Sequence, residues 1–361
     1  MRNAAASLAR FVRQALAPAA ARPPVLPDVN PRAPVRLLVI ANALIPTVQL
    51  SVVQPLRASV EAGEASLAFL TEEQLKQRFG KQARSAEAGA WFRRQLEQSR
   101  ATCLFICRYS GPFAREAVAF AREQGIGCVY CLDDDLLNVP LEIGQAKFDY
   151  HNHPLRLDAV RYLLENADLV YCSNERLARR LAALGLAHRP FVGQLFCAGA
   201  VLQPPVARPA RTLGYMGFDH AHDFEVALPA VVRALRHNPQ LKFELFGRIA
   251  RPPQLAEFGD RVVELPVVAD YDGFLRALAD RAWDIGICPL ARTPFNEVKN
   301  INKWIEYTSV GTAVVATRGM IYDGCCADGC GWLADDDEWD EALHELIADS
   351  GRRVRQVEAA Q

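Results

Sequence analysis

An alternation that runs, stops and starts again restricts the fold of this chain more than any other feature. From Val35, short apolar runs alternate with amphipathic stretches of helical period. "VRLLVIAN", "ATCLFICR", "GCVYCL" and "ADLVYCS" are short, rich in β-branched or aromatic residues, and have no polar face. They read as parallel strands buried on both sides. Helical stretches such as "EEQLKQRFGKQARSAEAGAWFRRQLEQ" and "FAREAVAFAREQG" lie between them. The proline-rich "LQPPVARPAR" at 202–211 interrupts the pattern, which then resumes with "TLGYMG", "KFELFG", "RVVEL", "DIGICPL" and "TAVVAT". The expected fold class is α/β, with two Rossmann-like doubly wound domains facing a cleft. Ligands of such sheets bind beyond the carboxyl ends of the strands. The expected boundaries are a leader at 1–35, a first domain at 36–201, a linker at 202–211, a second domain at 212–345 and a helix at 346–361 crossing back to the first domain.

Charge and cysteine usage narrow the function classes. A net charge of −1 gives no electrostatic case for nucleic-acid binding. No apolar run is long enough to span a membrane, and no secretory signal is recognised, so a cytoplasmic protein is expected. The leader carries five arginines against one aspartate and places Leu8, Phe11, Val12 and Leu16 at helical spacing. It reads either as a self-packing helix with a proline-rich tail or as a peripheral contact with the inner face of a membrane. Most of the ten cysteines sit inside apolar runs, as reduced core thiols do. Cys128 and Cys131 have the spacing of a redox pair but lie within a strand, and Cys325, Cys326 and Cys330 lack a nearby histidine to complete a zinc set.

The stretch Asp284 to Thr317, "DIGICPLARTPFNEVKNINKWIEYTSVGTAVVAT", carries the sharpest signal. A helix over 299–309 would place Lys299 and Lys303 on one face, with Glu306 three residues further on. Two cations at a helix start suit a diphosphate, and the carboxylate suits sugar hydroxyls. On spacing alone, a solvated face with an ordinary Lys–Glu pair fits equally well.

The ordered set Asp284, Gly286, Pro289, Leu290, Phe295, Asn296, Lys299, Lys303, Glu306, Tyr307, Gly311 and Val314 to Ala316 resembles the donor-binding domain of GT-B glycosyltransferases. The group concerned is the group 1 (family 4-like) transferases of bacterial surface-polysaccharide synthesis. "LGYMGFDHAHD", with Gly217, His220 and Asp223, resembles the segment that opens that domain. Gly247 and Arg248 follow at a strand end where the family offers backbone and a basic side chain to a diphosphate. The resemblance implies a transferase moving a sugar from a nucleotide-sugar donor to a saccharide or lipid-linked acceptor, with retention of configuration. The implied donor residues are Gly217, His220, Gly247, Arg248, Asn296, Lys299, Lys303 and Glu306. Lys303 would stabilise the departing diphosphate, so no metal and no cofactor are expected. One departure stands out: where many members carry a first glutamate eight residues before Glu306, this chain has Val298, with Glu297 one residue off register. That departure leaves a catalytically inactive nucleotide- or glycan-binding relative as an alternative, and a GT-B-like sugar epimerase as another.

In the first half, "CVYCLDDDLLNVP" runs a strand into Asp133, Asp134 and Asp135. A metal clamp, a polar rim on the cleft and a charged helix start are the three readings. The run resembles a segment of the same transferases, which implies an acceptor-side rim formed with Asn42 and Arg108. Asp134 or Asp135 would take the acceptor proton, and at least one aspartate would cap the following turn. Tyr109 is expected beside Arg108 in the cleft, and His222 is expected to face solvent.

Overall fold

The computed structural model describes residues 30, 32–186, 190–193, 202–218, 221–268 and 270–361. His220 and nearly all of the 1–35 leader, with its helix and membrane readings, lie outside the described residues. The chain divides into two units, Met1–Gln194 and Leu195–Gln361.

The first unit holds a six-stranded parallel sheet: β1 (Val35–Ala41), β2 (Ala65–Thr71), β3 (Cys103–Cys107), β4 (Gly127–Leu132), β5 (Leu169–Cys172) and β6 (Pro190–Val192), in the order β2-β1-β3-β4-β5-β6. Val39 is in register with Phe69 on one side and Phe105 on the other. The chain moves one way from β1 to β2 and then crosses to β3, so the topological switch point lies between β1 and β3. β2 and β6 were not anticipated. The helical stretch at 72–98 is two helices, Glu72–Phe79 and Ala86–Gln98, because Gly80 takes φ 53° and ends the first.

The second unit repeats the scheme with β7 (Thr212–Phe218), β8 (Lys242–Arg248), β9 (Val262–Leu265), β10 (Ile285–Cys288), β11 (Ala313–Thr317) and β12 (Trp332–Ala334). The order is β12-β11-β10-β7-β8-β9, with the switch point between β7 and β10. β10 and β11 are buried at every residue, which is why they read as unbroken apolar runs. Phe224, Val231 and Leu235 of the helix Ala221–His237 share a core with Trp339, Leu343 and Leu346 of the helix Trp339–Ala348.

The C-terminal stretch forms a helix, Ser350–Ala360, that packs on β11 of its own unit, where Gln356 Oε1 accepts from Val314 N–H at 2.7 Å. The proline-rich segment is tied down as well. Gln203 N–H donates to Ser309 O at 2.8 Å, and Arg208 Nε donates to the buried Asp284 at 2.8 Å. Asp284 also accepts from Arg211 and Thr212 N–H, so the first residue of the Asp–x–Gly pattern anchors the chain as it enters β7. Gly286 has an equally local reason: a Cβ there would stand 2.5 Å from the Tyr307 ring. Gly286→Ala is expected to cost about 1–3 kcal/mol through overpacking, read as a shift in urea midpoint at unchanged slope.

Candidate functional site

In the second unit, the carboxyl ends of β7, β8 and β10 meet the loop 289–301 and the helix Asn302–Ser309. Asp223, on the first turn of Ala221–His237 and fully buried, organises that loop. Its Oδ1 accepts from Asn296 Nδ2 at 2.6 Å and from Ala291 N–H at 3.0 Å, and its Oδ2 accepts from Lys299 Nζ at 3.3 Å. His222 Nε2 lies 3.2 Å from Oδ1, with its side chain only 18% exposed, so His222 packs on this hub and does not face solvent.

The helix starts at Asn302, three residues later than expected. Lys299 ends a 3₁₀ turn, Asn296–Val298, with an extended ψ of 171°, so the two lysines do not share a helical face. The fold of the loop instead brings the Lys299 charge near enough to act on Lys303. Lys299 Nζ lies 5.4 Å from the Phe295 ring centroid and Lys303 Nζ 5.8 Å from that of Tyr215. Burial, then the Lys299 charge, hold Lys303 below the usual lysine range. Glu306 is buried and accepts from Tyr271 Oη at 3.0 Å, and burial pushes its carboxyl up to about 7 despite Tyr271 and Lys303. Tyr307 packs against β7, its Oη accepting from Met216 N–H at 2.8 Å.

Gly217 lies inside β7 and pairs with Gly247 of β8. Gly247 takes φ 116°, and a Cβ there would lie 2.5 Å from Gly217 O. Only a glycine lets the two strand ends run this close. Arg248 ends β8 half-buried. Val298 is buried and Glu297 exposed, so the off-register glutamate does not take the missing position.

The first unit gathers polar groups at its own switch point. Asn42, just past β1, donates to Arg108 O at 3.0 Å and to Ser110 Oγ at 3.1 Å, and accepts from Ser110 N–H at 3.1 Å, latching β1 to the end of β3. Arg108 has a left-handed backbone, φ 49°, and its guanidinium is shared by Asp133 and Asp134. Burial opposes its charge, but the two carboxylates together raise its pKa further. Asp133 is buried, accepts from Thr47 Oγ1 at 2.5 Å, and is pushed up by burial despite Arg108.

The three aspartates therefore part company. Asp135 is fully buried, with Oδ1 taken by Leu137 N–H and Oδ2 by Asn138 and Arg180. It caps the turn, as one of the three was expected to do, and is enclosed by these donors with no solvent exposure. Asp134 keeps 18% of its side chain exposed beside Arg108. Tyr109 is likewise internal, donating to Pro112 O at 2.5 Å, and does not line a cleft.

Sequence reasoning missed the groups that surround these residues. Arg156 reaches Glu72 at 2.7 and 2.9 Å and Ser110 Oγ at 2.9 Å, and lies 3.6 Å over the Tyr150 ring. Tyr150 Oη donates to Glu72 at 2.9 Å. His151 ends the helix Gln145–His151, where burial and then Arg108 and Arg156 push it down to about 3, so the imidazole is neutral. Among the described residues no group of three or more His, Cys, Asp or Glu side chains could hold a metal ion. No helix of these residues is long and apolar enough to cross a membrane.

No family model matches this chain, and no curated protein matches it significantly. Solved structures do. A sucrose-phosphate synthase from Thermosynechococcus elongatus aligns over 90% of this chain and 94% of its own, at TM-score 0.60 and 13% identity. A UDP-forming α,α-trehalose-phosphate synthase from Burkholderia xenovorans covers the same shares at TM-score 0.56 and 12% identity. The chain has the GT-B fold. A UDP-N-acetylglucosamine 2-epimerase from Listeria monocytogenes aligns at TM-score 0.50 and 10% identity, over 90% of each chain, so GT-B architecture accompanies more than one chemistry. Within this GT-B chain, the residues expected to hold a donor fall at the second unit's switch point, His220 excepted because it is not described. Tyr271 touches Glu306, and Asp223 touches Asn296 and Lys299. Asp223 could have been found from its place in the quoted opening segment, whereas Tyr271 gave no signal.

Proposed function

We propose that this protein is a glycosyltransferase of the group 1, surface-polysaccharide type. It moves a sugar from a nucleotide-sugar donor held by the second unit to a saccharide or lipid-linked hydroxyl received by the first. The observation that carries the reading is the gathering of two ammonium groups, Lys299 and Lys303, with the buried Glu306 at one sheet switch point. In this mechanism Lys303, Lys299 and Arg248 stabilise the charge that develops on the departing diphosphate, in a site screened from water. Glu306 accepts from donor hydroxyls. At the acceptor, Asp134 is the least buried of the three aspartates and takes the hydroxyl proton, while Arg108 holds it in place. The reaction is proposed to retain configuration by same-face displacement, and lysine charge does the work that a metal would otherwise supply. The protein would act in the cytoplasm, at the membrane face where a lipid-linked acceptor is used.

A thermal-shift screen against UDP-, GDP-, dTDP- and CMP-sugars tests the donor assignment. A ligand at a hundred times its Kd is expected to add about 2.7 kcal/mol and raise Tm measurably. No shift with any of them would remove the assignment. Nucleotide release without an acceptor would point to the epimerase reading. Binding without turnover across an acceptor panel would favour the inactive relative that Val298 raises.

A further inference from the structure

We infer that Asp223 is a positioning residue for the diphosphate site, acting through Lys299 and the 291–299 loop. The inference rests on the donor reading above. The loop between β10 and Asn302–Ser309 has little regular structure beyond a single 3₁₀ turn, yet it must present Lys299 at a defined place. Asp223 meets it at its beginning, middle and end: Ala291 N–H, the Asn296 amide and the Lys299 ammonium. One carboxylate with no solvent exposure, mounted on a seventeen-residue helix, thus ties both the backbone and the charge of the loop to the rigid frame. A buried carboxylate holding charged and neutral donors together fixes geometry more strongly than a surface pair does.

Electrostatics favours the same role. Lys303 is depressed by the Lys299 charge and raised in turn by Asp223, so the carboxylate lets two like charges share the site before an anion arrives. Asp223 does not touch the ligand in this scheme. It sets where Lys299 stands, and Lys299 and Lys303 meet the phosphates.

A double-mutant cycle in the full-length protein tests this, with affinities for UDP, GDP, ADP, CDP and dTDP and for the matching nucleosides read by calorimetry. For whichever diphosphate the wild type binds, Asp223→Asn is expected to weaken affinity about tenfold while leaving nucleoside affinity within about twofold. Placed in a Lys299→Met background, the same substitution is expected to add less than about twofold, because its effect passes through the lysine. Asparagine keeps the volume and an acceptor for Ala291 N–H, and melting of the variant is checked first. If it does not fold, Asn296→Ser replaces it in the cycle, removing the Asn296–Asp223 hydrogen bond that holds the middle of the loop and leaving the carboxylate in place, with the same non-additivity expected. Wild-type affinity in the variant, or losses that add fully to those of Lys299→Met, would overturn the role of Asp223. A wild type that binds none of the five diphosphates would instead overturn the donor reading itself.

Discussion

Lys303→Met should lower the turnover number for sugar transfer by about 10²–10³-fold while leaving nucleoside affinity nearly unchanged. The expectation follows from where the charge stands. Lys303 is held below the ordinary lysine range by burial and by Lys299, so its ammonium carries unspent attraction for an anion. The Tyr215 ring supplies only a weak cation–π contact at 5.8 Å. Charge on a leaving diphosphate grows as the glycosidic bond breaks, so a fixed cation there stabilises the transition state more than the ground state. The loss should therefore fall on turnover rather than on KM. Single-turnover measurement with saturating donor separates the two. A variant that reacts at the wild-type rate would take Lys303 out of the mechanism, and one that loses only KM would make it a ground-state contact.

Glu306→Gln should stabilise the free protein at pH 8 while weakening its hold on the donor. The folded carboxyl titrates at about 7 against an ordinary value of 4.5, so the native state keeps a proton over that window that the unfolded chain releases. Stability conferred by the protonated group is complete below pH 4.5 and declines as pH rises toward 7. Above pH 7 the full cost of the buried charge, roughly 3 kcal/mol, is present. Glutamine removes that cost and still accepts from Tyr271. Urea titrations at pH 5 and pH 8 should show the wild type losing stability between them and the variant losing far less. Donor affinity at pH 8 should fall about ten- to a hundredfold, since a charged acceptor for hydroxyls becomes a neutral one. Equal pH dependence in the two proteins would contradict the buried-charge account. Unchanged donor affinity would remove Glu306 from the site.

These two residues also show how far the sequence could be read. Lys303 and Glu306 were visible because four- and three-residue spacings on a helix are local facts. The helical face expected to pair Lys299 with Lys303 does not form. The helix starts at Asn302, and the Lys299 charge reaches Lys303 through the fold of a loop. The aspartate run shows the opposite limit. Three identical side chains in succession point in different directions once β4 ends, and their fates depend on Arg108, Thr47 and Arg180, which lie 25, 86 and 45 residues away. Spacing cannot rank such a run, because no local rule says which carboxylate a distant arginine will reach. β12 was missed for a related reason, since a strand from Trp332 to Ala334 is too short to show a period.

By itself the sequence determined the two alternating halves, most strands of both sheets and the pattern at Asp284 to Thr317, because hydrophobic period and β-branching act over a few residues. Only the tertiary structure decided that Asp223 gathers Ala291, Asn296 and Lys299 from 68 to 76 residues away, that Asp135 is fully buried while Asp134 is only partly so, and that Glu306 titrates near neutrality. Burial and long-range pairing set the charge and reach of an ionisable group, and neither is written in its immediate neighbours.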